Sequence, residues 1–229
     1  MVCSGSAWPL AIRSWARSSR SRVGVTSREV RSNCHRLRPG HRRKITPGRG
    51  RPSERHEGDQ VNSKVEAGFN EQIKNELAAG YLYLAMSAHF QAHNLVGFAH
   101  WMRLQAEEEL SHAMRLFDYV IRRGGRIDLH AIDAPAGEFG SAASVFEDVF
   151  EHEREVTGMI HRLYEVSAAE GDWAAQQELQ WFISEQVEEE DSASTAKEQV
   201  RLAGDDQAAL LMLDQQFGAR VARAEEVPE

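Results

Sequence analysis

Apolar side chains recur every three or four residues along most of the chain beyond residue 61. This spacing places them on one face of an α-helix and predicts a series of amphipathic helices. Polar or glycine breaks at Gly124-Gly125, Gly171-Asp172 and Gly204-Asp205-Asp206 divide the pattern. Capping-box spacing in Ser63-Lys64-Val65-Glu66 and Ser144-Val145-Phe146-Glu147 indicates where the first and third helices open. The predicted helices cover about residues 63–92, 96–123, 144–170, 173–203 and 207–221.

The lengths of the helices and of their connections predict the fold class. Four helices have about 27–32 residues each, or about 40–48 Å at 1.5 Å per residue. Two of their connections are short, whereas residues 124–143 form a long one that contains Pro135, Gly137 and Gly140. A long middle connection can run the length of a bundle and leave the second and third helices parallel. We therefore expect an all-α fold, a four-helix bundle with a long crossover between helices two and three and a short fifth C-terminal helix.

The fifth helix has an apolar face of its own. Leu210, Leu211, Leu213 and Phe217 make it amphipathic. A short helix with such a face and no partner in its own bundle is expected to be buried between subunits.

The inward stripe of each long helix is interrupted by a residue that can bind metal. The carboxylates among these residues, one on each helix, are Glu76, Glu109, Glu153 and Glu189. An isolated buried carboxylate costs several kcal/mol unless it is paired, protonated or bound to metal, and no Lys or Arg lies on these stripes. Two divalent cations would neutralise four carboxylates, so the pattern predicts a buried metal pair.

The spacing on two helices indicates which metal and how firmly it is held. Glu109-x-x-His112 puts a carboxylate and an imidazole on one helix face, as in di-iron bundles. In the corresponding second pair, Gln186-x-x-Glu189, a glutamine stands first and no histidine is present. Oxygen-rich ligands with one imidazole suit iron or manganese. Because an amide is a weaker and neutral ligand, one metal should be held less firmly, which suits a site that passes its product onward.

Charge divides the chain into two parts. The formal net charge is −8, but residues 1–60 hold 14 basic and 4 acidic side chains, whereas residues 61–229 hold 13 basic and 31 acidic ones. An acidic body favours cation binding. We interpret residues 61–229 as the folded domain and residues 1–60, which are Arg- and Ser-rich and aperiodic, as a disordered basic extension.

Three interpretations of residues 1–60 stay open. They are a targeting segment, a basic arm that binds nucleic acid, and an extension translated from an upstream start with the native chain beginning near Val61. The cysteines, Cys3 and Cys34, both precede the body, which is compatible with a reducing compartment. There is also no apolar run of 18 residues. We expect a cytoplasmic protein with no membrane partner and, apart from such an arm, no nucleic-acid partner.

Three motifs resemble those of the bacterial non-haem ferritin family. They are Asn70-Glu71-Gln72-x-x-x-Glu76, Glu107-Glu108-Glu109-x-x-His112-x-x-x-Leu116-Phe117-Asp118-Tyr119 and Gln180-Trp181-Phe182-x-Ser184-Glu185-Gln186-x-Glu188-Glu189-Glu190. The resemblance covers about residues 63–218, and the last motif is highly specific. It implies a ferritin-like bundle that oxidises Fe(II) with O₂ or peroxide, deposits ferric mineral and assembles as a hollow 24-subunit shell.

The resemblance also implies roles for individual residues. The implied ferroxidase ligands are Glu76, Glu109, His112, Glu153, Gln186 and Glu189. A third iron would lie near Glu108, Glu185 and Glu188, and Tyr83 matches the family's tyrosine beside the di-iron site. Haem-binding bacterioferritins carry a methionine where this chain has Leu110, and they complete the second Glu-x-x-His pair. No haem is therefore expected.

Rival functions predict other patterns. A non-storage di-iron oxidase or peroxidase such as rubrerythrin would keep two Glu-x-x-His pairs and add a Cys-rich iron domain. A purely structural shell subunit would lose the central ligands. A DNA-protecting mini-ferritin would place its ligands between subunits and lack the fifth helix. The sequence departs from all three patterns, although the basic residues 1–60 keep a role with nucleic acid open.

Overall fold

The computed structural model describes residues 61–221, which fold into five α-helices. The helices are α1 (Ser63–Ala92), α2 (Val96–Arg122), α3 (Ala142–Ala169), α4 (Trp173–Ala203) and α5 (Gln207–Phe217). The predicted all-α class is confirmed, since this part of the chain contains no strand. The extension predicted for residues 1–60 lies outside the described residues. Within residues 61–221, no helix is long and apolar enough to cross a membrane.

The connection between α2 and α3 runs along α1 from one end of the bundle to the other. At its start, the backbone amide of Arg126 donates to the Glu66 carboxylate near the N-terminus of α1 (2.9 Å). At its end, Nε2 of His89, near the C-terminus of α1, lies 3.2 Å from the carbonyl oxygen of Gly140. Because α1 and α2 are joined by a short loop and are antiparallel, this crossover leaves α2 and α3 parallel, as predicted.

Two helix starts differ from the predicted capping boxes. Asn62 caps α1, since its side-chain oxygen accepts a hydrogen bond from the backbone amide of Lys64 (2.8 Å). Ser141 caps α3 and accepts from the amide of Ser144 (3.3 Å). The predicted caps Ser63 and Ser144 are wrong, because a polar side chain just upstream already satisfies the exposed amides of the first turn.

Two apolar clusters fill the bundle, and a polar layer lies between them. Large side chains of the cluster beside α5 are Met86, Phe90, Phe98, Trp101, Met102 and Phe146. Those at the opposite end are Val65, Phe69, Ile73, Leu116, Ile160 and Leu179. Close-packed side chains on both sides keep water away from the layer and fix its rotamers. Polar groups there must therefore find partners inside the protein or bind an ion.

α5 packs against its own bundle, contrary to the prediction that it lacks a partner there. The ring of Phe217 is buried, and its centroid lies 5.1 Å from that of Phe98 and 5.5 Å from that of Phe146. The helix ends at Phe217 rather than Val221. Leu211, on the opposite face, is 52% exposed, so only part of the apolar face is covered by the bundle.

The contact between α5 and α2 is close and polar. Leu95 precedes α2 and makes no side-chain capping bond. The carboxylate of Asp214 supplies that cap from α5, because it accepts a hydrogen bond from the backbone amide of Phe98 (2.8 Å). Gly97 permits this approach, since a Cβ at that position would lie 1.6 Å from the carbonyl oxygen of Asp214. The segment that follows α5 is thereby fixed beside α2.

Candidate metal centre

Each of the four long helices contributes to the polar layer. The six residues predicted as metal ligands are between 1% and 4% exposed, and they are Glu76, Glu109, His112, Glu153, Gln186 and Glu189. The period of 3.6 residues per turn explains the placement, because each residue follows its apolar neighbours on the inward stripe. The six side chains thus lie at the same level along the bundle axis.

The tightest grouping joins α1 and α2. One ligand-type atom each from Glu76, Glu109 and His112 lies within 4.8 Å of the other two. Nδ1 of His112 is 3.6 Å from Oε2 of Glu109. A group of two carboxylates and one imidazole at this separation can bind one divalent metal ion without a change of backbone.

Three carboxylates of the layer each leave one oxygen without a hydrogen bond. Oε2 of Glu76, Oε2 of Glu109 and Oε2 of Glu153 are buried and form no hydrogen bond within the described residues. No Lys or Arg forms an ion pair with any of these three in that part of the chain. Buried carboxylate oxygens normally form hydrogen bonds. Three that form none in the same layer therefore indicate a site for a ligand from outside the protein.

Neutral side chains donate hydrogen bonds to other carboxylate oxygens of the layer. Nε2 of Gln72 donates to Oε1 of Glu76 (2.8 Å). Nε2 of Gln105 donates to Oε2 of Glu189 (2.8 Å). The hydroxyl of Tyr83 donates to Oε1 of Glu153. Such donors orient a carboxylate without cancelling its charge, so that a metal ion can still supply the positive charge.

Gln186 lies in the layer but is held by α3. Its Nε2 is 3.3 Å from both the carbonyl oxygen of Glu153 and Oγ1 of Thr157. Thr157 in turn donates to Glu190 (2.6 Å). These bonds direct the NH₂ group of the amide towards α3, which leaves the carbonyl oxygen of Gln186 as the atom able to bind metal.

The pKa values of the layer are displaced from their usual ranges. Burial, and secondly the charge of Glu109, raises the pKa of Glu76 well above 4.5. Burial and the charge of Glu153 do the same to the pKa of Glu109. The pKa of Glu153 is also raised by burial, although the hydrogen bond from Tyr83 opposes the shift. Protons therefore compensate part of the charge when no metal does.

A second carboxylate cluster lies beside the layer. One oxygen each of Glu108, Glu185 and Glu189 lies within 4.8 Å of the other two. Glu189 is buried, and its charge contributes to the raised pKa of Glu109. It therefore belongs to both the layer and the second cluster. Glu188, predicted beside the third iron, is exposed and does not join this group; it lines a cleft between α4 and α5 instead.

Aromatic side chains form one wall around His112. The ring centroid of Trp181 lies 5.5 Å from that of His112, and the centroid of Phe182 lies 5.8 Å from it. The guanidinium of Arg115 also packs on Trp181, 4.0 Å from the ring centroid. Rings on this side fix the imidazole and exclude water from it.

Several residues around the centre were not assigned a role from the sequence. Gln72 stands four residues before Glu76 on the same helix face, so an i,i+4 pairing could have identified it. His152 could not be found in this way. It is 3% exposed, its ring lies 5.9 Å from that of Tyr83, and burial lowers its pKa to about 4. It is therefore neutral and packs beside the layer.

Comparisons with known proteins identify the family and the fold. A family model described as a ferritin-like domain matches residues 66–203. A bacterial non-haem ferritin of Bacteroides fragilis is 41% identical over 160 residues, which are 70% of this chain and 99% of that protein. One from Staphylococcus aureus is 34% identical over 152 residues, 66% of this chain and 92% of that protein. The structure of an open-pore ferritin from Archaeoglobus fulgidus matches with a TM-score of 0.70 and 45% identity, covering 71% of this chain and 100% of that one.

Proposed function

The chain belongs to the ferritin family, and from this premise we propose that it is an iron-storage subunit that oxidises Fe(II) within its own four-helix bundle. The observation that carries the proposal is the set of three buried carboxylate oxygens that form no hydrogen bond within the described residues, on Glu76, Glu109 and Glu153. They face one layer with His112, and no Lys or Arg among residues 61–221 forms an ion pair with them. A pair of iron ions is the substrate that this charge and ligand chemistry fits best.

The proposed binding residues fall into two groups. Glu76, Glu109 and His112 hold one iron, and Glu153, Gln186 and Glu189 complete the site for a second. Metal binding displaces the protons that the raised pKa values retain on Glu76 and Glu109. Two Fe(II) ions provide two electrons, which reduce O₂ with two protons to H₂O₂, or H₂O₂ with two protons to two waters.

Other residues position the reaction and pass on its product. Tyr83 donates a hydrogen bond to Glu153, so it orients this carboxylate and would stand beside a metal ion that Glu153 binds. Gln186 is a neutral ligand where a carboxylate or histidine would bind more strongly, so the proposal assigns it to the release of Fe(III) towards mineral. The cluster of Glu108, Glu185 and Glu189, with Glu188 nearby, is the proposed third iron position on that route.

Assembly into a 24-subunit shell in the cytoplasm is the larger-scale part of the proposal. Its support is an apolar outer surface on α1 and α2. Tyr81, Leu84, Leu110 and Met114 are each between 46% and 51% exposed. A soluble chain rarely exposes several large apolar side chains on one pair of helices unless another subunit covers them. The absence of cysteine from residues 61–229 is compatible with a reducing compartment.

The proposal is tested by Glu109→Ala and His112→Ala, which remove buried ligand atoms while the neighbouring apolar stripe stays intact. Each should slow Fe(II) oxidation, measured by stopped-flow absorbance at two Fe(II) per subunit, by more than about a hundredfold, because losing even a residue that only orients a metal ligand typically costs about 10–100-fold. The control is Glu107→Ala, which changes an exposed carboxylate on the same helix. Size-exclusion chromatography checks that assembly is unchanged. Wild-type rates in His112→Ala would contradict the proposed centre.

A further inference from the structure

The chain segment that follows α5 reaches back to the second carboxylate cluster. Nη2 of Arg220 lies 3.6 Å from Oε2 of Glu108, and the arginine side chain is 19% exposed. Its Nη1 donates to Oε1 of Gln105 (2.6 Å). The guanidinium also lies 5.1 Å from the ring centroid of Trp101. A cation of the chain therefore occupies the edge of a cluster proposed to receive iron.

The position of Arg220 is fixed by the docking of α5. The Asp214 cap and the close approach at Gly97 hold α5 against the N-terminus of α2. Two residues beyond Gly218, the carbonyl oxygen of Arg220 lies 3.0 Å from Nε2 of His100 on α2. The backbone on either side of this arginine is thus attached to the bundle, and its side chain has a short and defined reach.

Arg220 also fixes the orientation of a side chain that contacts the central layer. The amide of Gln105 accepts from Arg220 through Oε1 and donates to Glu189 through Nε2. An arginine can only donate, so its presence forces the amide oxygen outward and the NH₂ group towards Glu189. Because Glu189 belongs to both the layer and the second cluster, Arg220 influences both.

A second position is open to the guanidinium. Arg220 lines a cleft of about 610 Å³ between α4 and α5, and Glu188 and Asp191 line the same cleft. If a divalent ion binds Glu108, its charge repels the arginine and removes the acceptor that Nη2 contacts. Because Glu188 and Asp191 line the same cleft as Arg220, they are the carboxylates towards which a displaced guanidinium would turn.

We propose that Arg220 is a tethered counter-ion of the second carboxylate cluster, which a divalent cation must displace from Glu108 into the cleft before it can bind. Arg220 is a positioning residue, since it contacts the proposed cation ligands and not the iron pair. The inference rests on the proposed function, because it takes the cluster as an iron position. It predicts that this position binds a divalent ion more weakly than the central layer does, because the ion must first displace the guanidinium.

The test is an anaerobic calorimetric titration of the metal-free protein with Co(II). Without O₂ this ion stays divalent, so that the titration measures binding alone. The wild type should bind two ions tightly and a third more weakly per subunit. Arg220→Gln keeps most of the side-chain length but removes the charge, and it should tighten only the third site, by about tenfold. A chain that ends at Ala219 lacks the arginine altogether and should show the same gain.

Three controls separate charge from structure. Arg220→Lys retains the cation and should keep the third site as weak as in the wild type. Arg201→Gln removes an arginine whose partner is the exposed Glu198, and it should leave all three sites unchanged. Glu185→Gln should weaken the third site in both the wild-type and the Arg220→Gln backgrounds.

The outcomes are distinguishable from failure of the proposed function. If the wild type lacks the two tight sites, the proposed centre is wrong. If the tight sites are present but Arg220→Gln and the truncated chain bind the third ion no better than wild type, the counter-ion inference is overturned. Equal tightening by Arg220→Lys and Arg220→Gln would also overturn it, because the charge would then play no part.

Discussion

The central layer and the second carboxylate cluster are neighbours that carry negative charge in different surroundings. Glu109 and Glu108 are consecutive on α2, yet the first is buried among other carboxylates and the second is partly exposed beside a guanidinium. The layer has no cation of the chain within the described residues, whereas the cluster has Arg220. A carboxylate group that the chain leaves without a counter-charge depends on protons or metal. A carboxylate group that already has a cation of the chain binds a metal ion only when the metal displaces that cation.

The comparison predicts a large effect on stability from neutralising a carboxylate of the layer and a small one from neutralising a carboxylate of the second cluster, both in the metal-free protein. Glu109→Gln removes a buried charge from the layer and should raise the free energy of unfolding by about 1–3 kcal/mol. Glu185→Gln changes a partly exposed carboxylate and should alter it by no more than about 0.5 kcal/mol. Urea unfolding in the presence of a chelator measures both. Equal effects of the two variants would remove the distinction between the regions.

The pH dependence of stability sharpens the same distinction. Glu76, Glu109 and Glu153 have pKa values raised above 4.5, so they bind protons more tightly in the folded state. Their contribution is complete below pH 4.5 and is lost as the pH rises through the raised pKa values. The metal-free protein should therefore lose stability from about pH 5 towards pH 8, by about 1.4 kcal/mol for each unit by which a pKa is raised.

Divalent metal should reverse this trend, because metal replaces the protons and binds more tightly as they leave. Urea unfolding from pH 5 to pH 8, with a chelator and with excess Co(II), gives the two curves. Glu109→Gln should flatten the metal-free curve. A metal-free wild type whose stability increases over this range would contradict the assignment of raised pKa values to the layer.

The smallest expected effect concerns the release of iron from the layer. Gln186→Glu adds a carboxylate at nearly unchanged volume, so the diferric product should leave more slowly and the oxidation burst should recover several-fold more slowly. The first burst should be retained. Stopped-flow absorbance with successive additions of two Fe(II) per subunit measures the recovery. The matched control is Gln177→Glu on the exposed face of α4, and a Gln186→Glu variant that recovers like this control would show that Gln186 does not govern release.

The sequence predicts the central layer well because helical periodicity is a local property. Once Phe69 and Ile73 define the inward face of α1, the same period places Glu76 and Tyr83 on it. The long crossover follows from connection lengths in the same way. Helix starts are harder to predict, because Ser141 and Ser144 are both residues that can cap a helix and only the path of the backbone places the cap of α3 at Ser141.

Contacts between distant segments were beyond the reach of periodicity. Arg220 follows the last helix in a short aperiodic stretch, and only the docking of Asp214 on α2 brings it to Glu108. The sharing of Glu189 between the two regions is a further example, because it depends on how α4 faces α2. The spacing of residues along one helix does not show which residues of another helix they contact.

The most direct test of the central claim is a crystal structure of the protein soaked anaerobically with Fe(II), with anomalous diffraction collected at the iron absorption edge. Two peaks are expected in the buried layer, about 3.5–4 Å apart as in other two-metal sites. One should lie among Glu76, Glu109 and His112, and the other should lie next to Glu153, Gln186 and Glu189. Iron peaks confined to the protein surface, with none in the layer, would contradict the account.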